Sequence, residues 1–512
     1  MIQLSERALK SANISQEERI FPALQFNNMP IAVTILLFLL VADSAAQPRT
    51  ADLIIADAEV RTMDRTYPRA EAIAVADGRI VYVGTAEEIK RWVGKNTRVI
   101  DAGGRPVLPG FNDAHAHFMA IGNLFSSIDF SAAKTEADVI AKLRYYGRFL
   151  PKGRWILGGK LDSAISLTRE KIDEVTRDNP VFVYHADPKS AYANRLALQL
   201  ARMESSSGLL DAAGIQSMQF FVPKDHIRDW QAIAETASNY AASFGITSVQ
   251  DTHSDDMAIV YRGLVKKDKL KTRVYDCVSL SNWAKLAGVG TKAGEGDSMV
   301  RTGCVKGFYD PEDPETASLA KSIAGADAAG LQVLIHSIGK DANRAVLDLF
   351  EKTIKANVPH DRRFRVEHAH DLRPGDLLRF GRSKIIPSMQ PMLFFNDGTG
   401  VQDDYRKLLD SGAVVAFGAD APMRGINPIE GIYSAVNAGG KRGISVEEAV
   451  YAYTVGAAFA EFQEKEKGSI SVGKLADLIL LSADIFDENA DIRAATVILT
   501  VVNGRIVYEN IN

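Results

Sequence analysis

Two histidines stand one residue apart in VLPGFNDAHAHF, which covers residues 107–118 of a chain with nine histidines. Side chains of a β-strand alternate between its faces, so the imidazoles of His115 and His117 should point to the same side. Neutral imidazole is the commonest metal ligand in proteins, and Zn²⁺ accepts its nitrogen readily. The spacing therefore indicates a metal site, although the pair alone is equally typical of solvated loop histidines.

Four further candidates close or interrupt short apolar runs: Lys306 in CVKGFYD, His336 in VLIHSI, His368 in RVEHAH and Asp420 in FGAD. His370 competes with His368, because strand alternation puts both on one face. Each histidine could instead be a core residue bonded to the backbone, and Asp420 could cap the next turn or helix. The hypothesis of a metal site depends on all of them meeting at one place.

Lys306 cannot bind a metal while it is protonated, and burial of an unpaired ammonium is costly. Reaction with CO₂ would turn the amine into a carbamate, an anionic oxygen ligand able to bridge two metals. An ion pair with Asp310 is the structural alternative. The sequence leaves open whether one or two divalent metals bind per chain. Zn²⁺ suits these ligands best, and Mn²⁺, Fe²⁺ and Co²⁺ are tolerated.

Short runs rich in Val and Ile alternate with helical stretches, which predicts parallel βα units. Eight runs can be counted: 105–117, 245–254, 272–280, 304–310, 331–338, 364–370, 384–391 and 414–420. The fold class is therefore α/β, a (β/α)₈ TIM-like barrel, in which chemistry belongs at the C-terminal ends of the strands. Residues from about 130 to 240 are too long for a short connection between a strand and a helix, and they contain two more strand-like runs, 154–161 and 180–187. We therefore expect an inserted subdomain that overhangs the site.

The two ends of the chain resemble each other. ADLII and DGRIVY near the N-terminus are echoed by ADLILL and NGRIVY near the C-terminus. An isolated hairpin is only marginally stable in water, so we predict one small β-sandwich domain built from both ends, residues 48–105 with 468–512. The barrel, with its insert, then occupies residues 106–467. Two unrelated terminal sheets are the alternative.

Composition narrows the partners. A net charge of −4 with interspersed signs provides no basic surface for nucleic acid, and a small-molecule substrate is expected. Cys277 and Cys304 lie in apolar runs and are predicted to be inert buried thiols. Whether the chain forms a homo-oligomer is left open.

Residues 1–47 are predicted to be a leader, with a signal peptide at 29–46 whose apolar run ends in Ser-Ala-Ala. The segment before Met29 is polar, of mixed charge and unlike the usual start of a signal peptide, which favours Met29 as the true start of translation. The expected location is therefore periplasmic or secreted, with no stable membrane anchor after cleavage. The alternative is a cytoplasmic protein with a disordered or misassigned leader.

From about residue 51 to 510 the chain resembles the amidohydrolase superfamily, and within it the amidohydrolase 3 branch that includes N-substituted formamide deformylase. The resemblance depends on LPGFNDAHAHF, GITSVQD, VKGFYD, HSIGKDANRAVLD, RVEHAH, PSMQP, FGADAP and GSISVGKLADLILLS. It implies that His115 and His117 bind one metal, that His336 and His368 bind a second, and that carboxylated Lys306 bridges them. Asp420 would contact the first metal and act as the base for the reacting water.

The implied activity is metal-dependent hydrolysis of an amide-like C–N bond, of N-acyl or N-formyl type, by attack of a metal-activated hydroxide. One departure is that Asp187-Pro188-Lys189 replaces the Asp-Gly-His usual in this branch. Lys189, His253 and Gln390 are candidate carbonyl donors, and Lys189 with Arg424 hints at an anionic group on the substrate. The rivals are a mononuclear deaminase or cyclic amidohydrolase, and a non-catalytic binding protein on the same fold.

Overall fold

Eight parallel strands form the central sheet of the protein. The computed structural model describes residues 50–187, 189–223, 230–253, 257–312, 316–395 and 403–510. Each strand pairs with the next along the chain: β1 Phe111–Ala116, β2 Ile246–Thr252, β3 Arg273–Ser279, β4 Val300–Phe308, β5 Gln332–Ile338, β6 Arg365–His370, β7 Ile386–Met389 and β8 Ala416–Phe417. All eight coincide with the runs counted in the sequence, which confirms the barrel.

Two backbone hydrogen bonds join the last strand to the first. The N–H of Asp420 donates to the carbonyl of His115 over 2.8 Å, and the N–H of His117 donates to the carbonyl of Ala421 over 2.9 Å. Asp420 is therefore held beside the histidine pair by the closure of the barrel itself.

Helices pack around the strands because each has one apolar face. In Lys340–Ala356, for example, Val346, Leu347 and Phe350 are buried on the side that faces the sheet. The other helices of the barrel are Phe118–Asn123, Trp230–Ser243, Ala258–Lys266, Trp283–Gly288, Thr316–Ala328, Pro374–Ser383, Tyr405–Asp410, Pro428–Val436, Val446–Tyr451 and Ala457–Ala460, with a π-turn at Ala452–Gly456. Short 3₁₀ turns lie at Glu88–Trp92, Leu280–Asn282 and Ile492–Ala494, and Glu295–Gly296 adds an antiparallel strand to β4.

The first apolar run, 105–117, is two strands instead of one. Pro106–Pro109 joins a sheet of the terminal region, and Phe111–Ala116 is the first barrel strand. Gly110 makes the change of direction possible, since a Cβ there would lie 2.2 Å from the side chain of Thr247. A single residue without a side chain thus separates the two sheets.

Strands from both ends of the chain share a six-stranded sheet. Its order is Arg505–Glu509, Val497–Val502, Leu478–Leu481, Pro106–Pro109, Glu59–Arg61 and Arg69–Ala70. A four-stranded sheet of N-terminal residues accompanies it, in the order Arg79–Gly84, Ala72–Ala76, Leu53–Ala56 and Arg98–Asp101. Side chains of both sheets, such as Ile55, Val75, Leu480 and Leu499, form one buried cluster. Residues 50–512 are one compact unit, and the limits of domains within it stay a prediction.

A buried ion pair links the C-terminal segment to the barrel. Arg273, at the start of β3, donates from Nε and Nη2 to the two carboxylate oxygens of Asp477, over 2.7 and 2.8 Å. Both side chains are almost fully buried. This two-point contact fixes the segment before Leu478–Leu481 against the barrel.

The insert between β1 and β2 has its own sheet. Its strands are Leu209–Leu210, Ala191–Ala193, Val181–His185, Ile156–Leu161 and Ile128–Asp129, in that order. The helices Glu136–Gly147, Arg169–Val175, Arg195–Leu200 and Ala212–Gln219 accompany it. Both strand-like runs noted in the sequence, 154–161 and 180–187, belong to this sheet.

The two cysteines are joined by a disulfide bond, which corrects the expectation of inert thiols. Cys277 of β3 and Cys304 of β4 are register partners on neighbouring strands, with Cα atoms 4.7 Å apart. Both are fully buried, packed with Tyr275 and Leu334. Cys304 and Lys306 share one face of β4 by strand alternation, so the bond lies one step below the lysine.

Among the described residues, no helix is long and apolar enough to cross a membrane. The predicted leader at 1–47, with its signal peptide at 29–46, lies outside the described residues.

Candidate metal centre

His115, His117 and Asp420 bring three ligand atoms together at the mouth of the barrel. Oδ1 of Asp420 lies 3.5 Å from Nε2 of His115 and 3.3 Å from Nε2 of His117. A tetrahedral metal with bonds of about 2.0 to 2.1 Å separates its ligand atoms by about 3.3 to 3.4 Å. The observed spacing therefore fits a metal without rearrangement of these side chains.

Hydrogen bonds at Nδ1 fix the orientation of the imidazoles of His115 and His117. Nδ1 of His115 contacts Oε2 of Glu367, and Nδ1 of His117 lies 2.5 Å from the backbone carbonyl of Thr252. Because both partners accept hydrogen bonds, Nδ1 carries the proton in each ring and Nε2 keeps its lone pair. The lone pairs are thus presented toward Asp420, as metal ligation requires.

Glu367 was missed by the sequence reasoning. Its carboxylate accepts from Nε of Arg365 over 2.7 Å and from the hydroxyl of Ser388 over 2.9 Å, besides contacting His115. Burial alone raises the pKa of Glu367, but Arg365 and His115 outweigh it and hold the pKa below its ordinary value. The only signal in the sequence was the presence of a glutamate and an arginine inside the predicted barrel strand RVEHAH, because charged residues in a buried strand need partners.

Lys306 is buried beside the histidines. Its Nζ lies 3.4 Å from Nε2 of His115 and 5.3 Å from the ring centre of Phe308. The side chain of Asp310, the alternative partner, instead accepts the N–H of Glu312 over 2.9 Å. The structure therefore favours the site over the ion pair as the environment of this lysine.

His336 and His368 complete the group. Their ring centres are 4.3 Å apart, and the ring of His368 is 4.9 Å from that of His115. Nδ1 of His368 lies 2.7 Å from Oε1 of Gln390, an acceptor, which again leaves Nε2 for another partner. Gln390 thus orients His368, and its predicted role as a carbonyl donor stays a prediction.

His368 and His370 have different partners, although their ring centres lie 6.2 Å apart. His368 and Ala369 have left-handed backbones, with φ of 72° and 50°, so regular alternation does not hold at the end of β6. Nδ1 of His370 lies 2.5 Å from Oδ2 of Asp403, and its ring packs edge-on against Phe394. His368, whose ring lies 4.9 Å from that of His115, is the one among the metal-site residues.

Three candidate substrate-binding residues have other partners. The exposed ammonium of Lys189 lies 3.7 Å from Asp187, and the exposed Arg424 donates to the carbonyl of Leu393 over 3.2 Å. Nε2 of His253 lies 3.0 Å from Asp276 and 3.3 Å from Asp251, a second group of potential ligand atoms. The predicted roles of these three residues toward substrate stay predictions.

The electrostatics of the site keep the imidazoles of His115, His336 and His368 neutral at neutral pH. Burial, followed by the charge of Lys306, lowers the pKa of His115 and of His336 to about 4. Burial also lowers the pKa of His368 well below its ordinary value, and it lowers the pKa of Lys306 to about 8. Burial raises the pKa of Asp420, but the two histidines outweigh it and bring the pKa below its ordinary value. The site at neutral pH therefore offers neutral nitrogens and a carboxylate.

A parallel barrel with histidines, a lysine and a carboxylate at the C-terminal ends of its strands defines a metal-dependent hydrolase. The chain belongs to the Amidohydrolase family, whose family model matches residues 98–508.

Two relatives span nearly the whole chain. Protein LONG AFTER FAR-RED 3 of Arabidopsis thaliana is 29% identical over 90% of this chain and 92% of its own length. N-substituted formamide deformylase of Arthrobacter pascens is 26% identical over 90% of this chain and 98% of its own length. The solved structure of a metal-dependent hydrolase from Pyrococcus furiosus superimposes with a TM-score of 0.60 at 23% identity, over 85% of this chain and all of that one, and shows the same fold.

Proposed function

We propose that this enzyme hydrolyses an amide-like C–N bond of an N-acyl or N-formyl amine, with His115, His117 and Asp420 holding a divalent metal. His336, His368 and carboxylated Lys306 would hold a second one. The observation that carries the proposal is the convergence of these side chains, with the Nε2 lone pairs of His115 and His117 directed toward Asp420. The relative named N-substituted formamide deformylase supports this choice of bond.

Zn²⁺ is the metal that this ligand set favours, since two imidazole nitrogens with a carboxylate are a ligand set typical of catalytic zinc. When bound, such a metal lowers the pKa of its water to about 7 and polarises the carbonyl of the substrate.

Asp420 is the residue that moves the proton. Its carboxylate is ionised at neutral pH and is fixed by the bond from its own N–H to the His115 carbonyl. Oδ2, the carboxylate oxygen that is not the ligand atom, accepts the proton of the attacking water as the water oxygen bonds to the carbonyl carbon, and it delivers that proton to the nitrogen as the C–N bond breaks. Glu367 and Thr252 hold the two imidazoles in one tautomer throughout.

Lys306 is suited to carboxylation because its amine is buried and easily deprotonated. Only the neutral amine reacts with CO₂, and burial lowers the pKa of this lysine to about 8. The product is an anion that would lie among the neutral imidazoles of His115, His336 and His368.

A second candidate is a mononuclear deaminase or cyclic amidohydrolase in which Lys306 stays an amine. It is favoured by the fact that His115, His117 and Asp420 form a closely spaced set of three ligands without the lysine. Metal content per chain separates the two proposals. About two metals, falling to one in Lys306→Met, support the carbamate bridge, whereas one metal in both proteins supports the mononuclear site.

Replacement of Asp420 by asparagine tests the hydrolase itself. We expect Asp420→Asn to keep a bound metal and to lose hydrolysis of N-acyl and N-formyl amines by about a hundredfold or more, since the proton acceptor is removed. Asp341→Asn, which changes a carboxylate that is 90% exposed, is the matched control. Activity retained in Asp420→Asn would refute the assigned base.

We also propose that the chain is exported. The Cys277–Cys304 disulfide supports this, because such bonds persist in oxidising compartments and are rare in the cytosol. Sequencing the N-terminus of the mature protein from its native source is the test. A start near Gln47 agrees with export, and an intact leader would favour the cytoplasm.

A further inference from the structure

Strand β4 presents three chemically different side chains on one face. Because side chains alternate along a strand, Cys304, Lys306 and Phe308 point the same way. Cys304 forms the disulfide, Lys306 lies next toward the C-terminal end, and Phe308 lies at the rim of the barrel. The rim residue, Phe308, ends the strand and is the register partner of His336 on β5.

The ring of Phe308 borders the metal-site residues yet remains open to solvent. Its centre is 5.3 Å from the ring centre of His336 and 5.3 Å from Nζ of Lys306, while 60% of the residue is exposed. The ring therefore offers an apolar face to a bound molecule directly beside the metal-site residues.

Two more exposed apolar side chains follow site residues in the same manner. Ile338 ends β5 two residues after His336 and is 37% exposed. Met423 comes three residues after Asp420, is 71% exposed, and donates its N–H to the carbonyl of Asp420 over 3.0 Å. The C-terminal ends of barrel strands share one rim, so all three apolar side chains lie at the end of the barrel that carries the candidate metal centre.

Among the described residues, the basic side chains that the sequence suggested give no comparable signal for an anionic group on the substrate. The two basic residues that the sequence suggested, Lys189 and Arg424, are engaged with Asp187 and with the carbonyl of Leu393.

We propose that Phe308, Ile338 and Met423 form a subsite for an uncharged aryl or alkyl substituent carried next to the scissile C–N bond. This inference rests on the proposed function and narrows its substrate class to N-acyl or N-formyl amines with an apolar substituent. The reaction stays a hydrolysis, in which water supplies the oxygen to the acyl carbon and the proton to the released nitrogen.

A matched pair of compounds tests the subsite. N-formylphenethylamine and N-formylphenylalanine differ only in a carboxylate next to the nitrogen. We expect metal-loaded protein to hydrolyse the first with a kcat/KM at least about tenfold higher. Phe308→Ala should lower that kcat/KM about tenfold, mainly through KM, because the apolar contact is made equally in substrate and transition state. Hydrolysis of the small N-methylformamide should fall less than that of N-formylphenethylamine, because N-methylformamide has no large substituent for the ring to contact.

Val289→Ala is the matched control, because Val289 is also an exposed apolar residue, at 77% exposure, outside the proposed subsite. It directly follows the helix Trp283–Gly288. The next part of the chain, at Lys292, lies against Gly303 and Gly330, near the beginnings of β4 and β5. This variant should behave as the wild-type protein does. A preference of the wild-type protein for N-formylphenylalanine would overturn the inference, as would equal losses by Phe308→Ala on all three compounds.

Binding measured without turnover separates this inference from the proposed function. In the Asp420→Asn background, calorimetry should show N-formylphenethylamine bound about tenfold more weakly when Phe308→Ala is added. If that difference is found while the wild-type protein hydrolyses nothing, the hydrolytic proposal fails and the apolar subsite stands. If the two proteins bind the compound equally, the subsite is refuted whatever the activity.

Discussion

Breaking the Cys277–Cys304 disulfide is expected to lower the free energy of unfolding by about 3.6 kcal/mol. The bond closes a loop with a sequence separation of 27. In the chain-entropy relation, closing a loop of that length removes about 12 cal/mol/K from the unfolded ensemble, which is about 3.6 kcal/mol at room temperature.

Urea unfolding with and without a thiol reductant measures the effect, with the fluorescence of buried Trp155 among the signals. The wild-type chain should unfold at lower urea when reductant is present, because the unfolded state then gains the freedom of the open loop. The Cys277→Ala/Cys304→Ala double variant is the matched control and should not respond to reductant.

Intact mass fixes the starting state, since the oxidised chain is two hydrogen atoms lighter than the reduced one. Two free thiols in the unfolded, unreduced chain would refute the bond. A bond proven by mass, together with identical unfolding curves in both conditions, would refute the loop argument.

Two more predictions concern the site. Glu367→Gln should weaken metal binding about 10- to 100-fold, because the carboxylate that fixes the tautomer of His115 is lost. Competition against a chelator measures the metal affinity. An unchanged affinity would contradict the role given to Glu367. The metal-free chain should gain stability as the pH rises from about 8 toward 10.5. Burial lowers the pKa of Lys306 to about 8 from its ordinary value of 10.5, so in that window the unfolded chain holds a proton that the folded chain has released. The gain, at most about 3 kcal/mol, is read from unfolding midpoints and should be missing in Lys306→Met; an equal gain in that variant would assign it to other groups.

The barrel was readable from the sequence because its strands are short apolar runs separated by helical segments, so that counting runs amounts to counting strands. His115, His336 and Asp420 could be found for the same reason, since each closes such a run. What counting could not give is the local backbone. The left-handed residues His368 and Ala369 rotate β6 out of its alternation, and no pattern of apolar residues records that rotation.

Contacts across strands were also beyond the sequence. Cys277 and Cys304 pair only because β3 and β4 are aligned in one register, and register depends on packing around the whole barrel. Glu367 was missed for a related reason. A carboxylate inside a buried strand signals a partner, but the partner, His115, is 252 residues away.

The six-stranded sheet has a consequence for synthesis. Pro106–Pro109 leaves the ribosome long before Leu478–Leu481, the strand that must pair with it, so its edge waits for the last part of the chain. A truncated chain that contains the barrel strands but lacks Leu478–Leu481 therefore leaves the apolar strand Pro106–Pro109 uncovered on one edge. Truncated copies are therefore expected to aggregate or to be degraded. Only a chain translated to its end covers the apolar strand Pro106–Pro109.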